Sequence, residues 1–225
     1  MDGTRKAGLA LALFTLGGIA ALQPVQAQPG QTFTGTFAHD NSIFLTGFTV
    51  AAPTAYTFYT TSYAGGLNAD GTTTTRGGFD AFIEVMNGSG HVIGLNDDGT
   101  SVHVAVDPTT HNAWDAYLKM NLAPGSYSVL LTQYGNNLNG DDLTTGFTEA
   151  GSGNDNYTSI FAPNGPGTSS APFIEQDGAQ RTGNYTLNLQ SSPVPEASTT
   201  VSMGLLLILG LGGAAVSARR RKSSC

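Results

Sequence analysis

The chain of 225 residues carries 16 Asp and Glu against nine Lys and Arg, a net charge of −7, with 30 glycines and a single cysteine, Cys225. One cysteine excludes a disulfide framework, so stability has to come from packing and hydrogen bonds, with or without bound ions. The acidic balance excludes a nucleic-acid-binding surface, which needs clustered cations to displace counterions from phosphate.

At the N-terminus, Arg5 and Lys6 precede an uncharged apolar run from 7 to 22, and Val25-Gln26-Ala27 follows. Charge, short apolar run and small residues at the first and third positions before a cut are the layout of a secretory signal, with cleavage expected before Gln28. The run is shorter than the ~20 residues a membrane span needs. Residues 1–27 are therefore read as a signal peptide and 28–192 as one exported domain. That domain holds 14 acidic residues against three basic ones (Arg76, Lys119 and Arg181), a net charge of −11.

Within the domain the dominant signal has period two. Strands are expected at 32–37, 43–50, 55–63, 79–87, 91–96, 101–106 and 116–122, the last with Ala116, Leu118, Met120 and Leu122 alternating against Tyr117, Lys119 and Asn121. In the stretch GSYSVLLTQYG, Tyr127, Val129 and Leu131 alternate with Ser126 and Ser128 until the pattern blurs at Leu130. The last expected strand carries Tyr185, Leu187 and Leu189. The clusters NGSG, NDDGT, DPTTHN and LAPG between these runs are turn sequences. No helical stripe competes, so the fold class expected is all-β: an antiparallel β-sandwich with a jelly-roll-like topology.

Two segments break the rhythm, 64–78 and 136–183. The second is longer than loops in compact domains usually are. Its Phe147, Tyr157, Ile160, Phe161, Phe173 and Ile174 argue against a solvated linker, and it is expected to pack over one edge of the sandwich. Residues 191–195 read as a short linker. An uncharged run from 197 to 218 follows, and a helix over 199–218 is long enough, at about 1.5 Å per residue, to cross a bilayer core of roughly 30 Å. The basic cluster Arg219, Arg220, Arg221 and Lys222 stands directly after it and stays cytoplasmic, so the chain crosses once with its bulk outside.

The order Val194-Pro195-Glu196, apolar helix, basic cluster resembles the PEP-CTERM sorting signal, with Ala197 where a second proline is usual. The resemblance implies an exosortase as partner: a transpeptidase-like membrane enzyme that cuts near the Pro-Glu motif. It implies passing inner-membrane anchoring, then residence at the surface or in the matrix of a Gram-negative bacterium that makes extracellular polysaccharide. A second resemblance rests on GGFDAFIEVMNGSGHVIGLNDDGT, WDAYLKMNLAPGSYSVLLTQYGNN and GFTEAG. These are similar to exported domains of the pre-peptidase C-terminal kind, which implies a β-sandwich with no catalysis of its own.

Asp80, Asn96, Asp97, Asp98 and Asp115 recur at expected strand ends, and two readings of them stand. They share a Ca²⁺ ion, which takes six to eight oxygen ligands, or each caps its own turn; the NDDG stretch lacks the spacing and closing Glu of an EF-hand loop. For catalysis, neither a His-Glu-x-x-His helix nor a Gly-x-Ser-x-Gly elbow occurs, and His39, His91, His103 and His111 are scattered. Asp80 and Glu84 are a conceivable glycosidase pair. Tyr59, Tyr63, Trp114, Tyr117, Tyr134 and Tyr157 form either a sugar-stacking platform or part of the core. The function expected is a non-catalytic surface or matrix protein associated with exopolysaccharide; the alternative is a secreted polymer-degrading enzyme or its accessory module.

Overall fold

Runs rich in Val, Ile, Phe, Tyr and Thr become strands because branched and aromatic side chains suit a pleated, half-buried surface. The computed structural model describes residues 30–166 and 169–193. It contains β1 (Gln31–Thr36), β2 (Ile43–Val50), β3 (Thr54–Thr60), β4 (Gly66–Leu67), β5 (Thr73–Thr74), β6 (Ala81–Asn87), β7 (Val92–Asn96), β8 (Tyr117–Leu122), β9 (Gly125–Gln133) and β10 (Asn184–Pro193). Two antiparallel four-stranded sheets form a sandwich, in the orders β1-β10-β3-β8 and β2-β9-β6-β7, and β4 pairs with β5 as a small hairpin. Apart from β6 and β7, successive long strands alternate between the sheets. The last strand lies between the first and the third.

Register places the apolar set inside. Phe33 stands opposite Leu187, Leu189 opposite Phe58, Ile83 opposite Leu131 and Val85 opposite Val129. All eight belong to or pack against one core cluster that also takes in Phe37, Phe79 and Phe173. A one-residue slip would turn each of these side chains to the opposite face, so the inner pattern fixes the pairing.

Neither outer face is left bare at its centre. On β9 every residue from Val129 to Gln133 is buried, because Val129 and Leu131 face the sandwich core while Leu130 faces outward under Leu138, Leu143 and Phe147. The first part of the long segment, 138–147, thus lies on the outer face of the β2-β9-β6-β7 sheet and not merely over an edge, while Phe173 further along joins the sandwich core. Three short 3-10 turns, Leu143–Thr145, Ser152–Asn154 and Tyr157–Phe161, shape the segment. Buried Asp40 pins it down by accepting hydrogen bonds from Thr158 N (2.9 Å), Thr158 Oγ1 (2.6 Å) and Phe173 N. On the other sheet the β4–β5 hairpin does the same: Thr74 Oγ1 donates to Thr186 Oγ1 at 3.0 Å and Ala69 N to Asn188 Oδ1 at 2.9 Å, burying two polar residues of β10.

Two expectations about local structure change. Residues 101–106 form turns, not a strand: His103 N and Val104 N both donate to Thr100 O, and Val102 is 85% exposed. The alternation there finds no neighbouring strand to pair with, and Val104 folds back over Gly99. Residues 191–193 continue β10, paired with Tyr56, Ala55 and Thr54, where a linker was expected. Pro193 is tolerated because it is the last residue of the strand. The signal peptide, the 199–218 helix, Val194, Pro195, Glu196 and the cluster Arg219, Arg220, Arg221 and Lys222 lie outside the described residues. Among the described residues no helix is long and apolar enough to cross a membrane.

Candidate metal centre

The Gly-Gly-Phe-Asp stretch sets the first ligand-type side chain. A Cβ on Gly78 would lie 2.3 Å from Asn184 O and 2.9 Å from Ser62 O, so only glycine lets the chain pass between the end of β3 and the start of β10. Phe79 then plugs into the core between Phe37 and Phe173, at ring distances of 5.2 and 5.5 Å. Asp80 follows at the mouth of β6. Because β6 and β7 are antiparallel, with Ile83 opposite Asn96, the residues just after β7 return beside those just before β6. One carboxylate oxygen from each of Asp80, Asp97 and Asp98 lies within 4.8 Å of the others.

Glu175, from the long segment, lies beneath them. Its Oε1 accepts the Asp80 amide at 3.1 Å, and both residues are 2% exposed. Burial pushes the Asp80 carboxyl well above the usual range, and the neighbouring Glu175, Asp97, Asp98 and Asp115 push it further. Burial, then Asp98, pushes Asp97 up to about 6. Burial raises Glu175 to about 7 against the lowering influence of the Asp80 N–H, Gln133 and Arg181. Asp80 Oδ1 and Asp97 Oδ1 are buried with no hydrogen-bond partner.

Asn96 and Asp115 stand apart from this triad in what they bind. Asn96 Oδ1 accepts Tyr117 N at 2.7 Å, tying β7 to β8 across the side of the sandwich. Asp115 accepts from Thr60 Oγ1 (2.8 Å), Tyr63 N (3.0 Å) and Ala64 N (2.9 Å), which is turn capping. Glu175 was absent from the residues singled out in the sequence; it sits in a stretch with no periodicity, and only its place in the IEQDG turn, where Glu175 N donates to Ala179 O, marks it.

The remaining candidates scatter. Asp80 stands just before β6 and Glu84 within it, four residues on, so their backbones are about 13 Å apart at ~3.3 Å per residue. Tyr63 is core, tilted against Trp114 at a ring distance of 5.3 Å with the Arg181 guanidinium 3.9 Å from its ring centre. Tyr157 donates its hydroxyl to Tyr134 O. Tyr59 and Tyr117 do meet, side by side across β3 and β8, with His103 stacked on Tyr117 at 4.3 Å. Tyr59 and His103 line a groove of about 210 Å³ with Leu67 and Val104. His91 pairs with exposed Asp141 at 3.7 Å, beside Asp142.

No family model matches the sequence, and no curated protein matches it. The structure is similar to that of the pre-peptidase C-terminal domain of a collagenase from Bacillus anthracis, covering 72% of this chain and 89% of that one, at 10% identity and a TM-score of 0.33, a likeness too distant to speak for ligand or activity.

Proposed function

We propose that the chain is a non-catalytic exported surface or matrix protein. Its jelly-roll-like sandwich acts as an adhesin, scaffold or glycan-contacting module in an extracellular polysaccharide layer, and its 194–225 tail is handled by an exosortase of a Gram-negative envelope. The observation that carries this reading is where the tail begins. β10 stays paired with β3 through Pro193, and Val194-Pro195-Glu196 starts at the next residue. A cut near Glu196 therefore removes the apolar run and basic cluster without breaking a pair in the sheet. The Tyr59–Tyr117–His103 surface supports the glycan-contacting role, since stacked rings offer a flat apolar face to a sugar.

Mass spectrometry of the protein recovered from envelope and medium tests the reading. The expected product begins at Gln28 and ends near Glu196, with or without an added mass, and deletion of 194–225 moves the protein to a different fraction. An intact C-terminus together with unchanged distribution of the deletion variant overturns it.

A further inference from the structure

We propose that Asp80, Asp97 and Asp98 form a calcium site, and that the bound ion fastens the 136–183 segment to the sandwich through Glu175. The inference stands independently of the sorting tail. Acidic clusters on a surface need no ion, but this one runs into the interior. Asp80 is 2% exposed and its Oδ1 has no partner, and Asp97 Oδ1 is likewise buried and unpaired. A buried carboxylate needs a counter-charge or a set of donors to offset its lost hydration. The described residues contain three Lys or Arg side chains. Arg76 and Arg181 are both held by Asp107, and Lys119 lies on β8 opposite Thr57. What offsets these carboxylates therefore comes from solution, as protons when the site is empty and as a bound cation when it is filled.

The ligand chemistry selects the ion. All donors are carboxylate oxygens, with no thiolate or imidazole in the group, which points to a hard cation rather than zinc or copper. The carboxylates come from two strand ends, two of them consecutive in sequence, and Asp98 is exposed, which leaves room for water. An irregular, partly hydrated oxygen shell suits Ca²⁺ with its six to eight ligands better than the strict octahedron of Mg²⁺. Glu175 is a positioning residue: its Oε1 holds the Asp80 amide, and its side chain belongs to the segment that covers the sheet. An ion at Asp80 removes the like-charge repulsion between the two, so binding favours the docked segment.

The test uses the full-length protein in detergent. Calorimetric titration should show one Ca²⁺ per chain. At a hundredfold excess over Kd, Ca²⁺ should raise Tm by about 5–10 °C relative to chelator and slow proteolysis within 136–183. Mg²⁺ at the same concentration should do less than half as much. The double variant Asp97→Asn/Asp98→Asn, altered at side chains outside the core, should melt cooperatively at or above the midpoint of the chelated wild type and ignore Ca²⁺. Glu175→Gln, which keeps an acceptor for the Asp80 amide but carries no charge to repel it, should still bind the ion by titration while protection of the segment no longer depends on Ca²⁺. An unchanged wild-type midpoint in chelator with no titration heat, an equal response to Mg²⁺, or a double variant that still responds to Ca²⁺ overturns the assignment.

Discussion

Asp107 gathers three distant parts of the chain around one side chain. Its oxygens accept from Arg76 Nη1 at 3.1 Å and Arg181 Nη1 at 3.2 Å, and from the amides of Thr109 and Thr110 at 2.8 and 3.0 Å. Burial acts to raise its pKa, but the Thr110 and Thr109 amides and Arg181 outweigh it and hold the carboxyl below its ordinary value. A carboxylate depressed in the folded state stabilises the protein above its unfolded pKa, about 3.9, and that stability is lost as pH falls through the folded value. Asp107→Asn leaves two guanidinium groups without their anion and should cost about 3–5 kcal/mol at pH 7, a fall in Tm of roughly 10 °C. Thermal melts of both proteins between pH 7 and pH 3 check this, and the gap between them should narrow toward the acid end. The turn at 107–112 was legible because Asp-Pro-Thr-Thr punctuates any chain. Its partners were not, since Arg76 and Arg181 reach Asp107 only after both sheets have formed.

At the scale of elements, the unpaired stretch 101–106 and the blurred alternation of β9 have one cause. Period two reports which face of a strand is apolar, not whether a partner strand exists. Residues 101–106 alternate well and stay unpaired, whereas β9 alternates badly because it is covered on both sides. The blur at Leu130 was thus the trace of a third layer, and the apolar residues of 136–183 rightly indicated that the segment packs. They could not say against what, for a segment without period carries no facing information. Leu138 is the inner contact of that layer, clustered with Met86 and Leu130. Leu138→Ala should remove about 2–5 kcal/mol of packing, and the loss should fall on the segment before the sandwich, since local units open at lower free energy than the whole. Limited proteolysis checks it: cuts should appear first within 136–161 while the remainder of the domain stays resistant.

The whole molecule is closed by its own end. β10 arrives last yet lies between β1 and β3, so the first, third and last strands form one sheet only when the domain is complete. Eight of the nine expected strands and their inner faces were readable from side-chain alternation, whereas 101–106 is turns and the short β4 and β5 carried no such signal. Strand order was not, because period two holds no record of which runs become neighbours. The candidate metal centre follows the same division: Asp80, Asp97 and Asp98 could be chosen by type and by position at strand ends, but their convergence depends on the β6–β7 pairing, and the place of Glu175 depends on the docking of a distant segment. The closing role of β10 yields a test at this scale. Ending the chain after Pro193 keeps every pair of the sheet and should leave Tm unchanged relative to the protein ending at Glu196. Ending it after Leu189 removes four pairs, Gln190 with Thr57, Ser191 with Tyr56, Ser192 with Ala55 and Pro193 with Thr54. At roughly 0.5 kcal/mol each that is about 2 kcal/mol, or a fall of about 6 °C. Melts of the three chain lengths decide it: equal midpoints for all three would mean that the sandwich is closed before the last turn of the strand, whereas a drop confined to the shortest chain places its boundary between Leu189 and Pro193, directly against the Val-Pro-Glu motif.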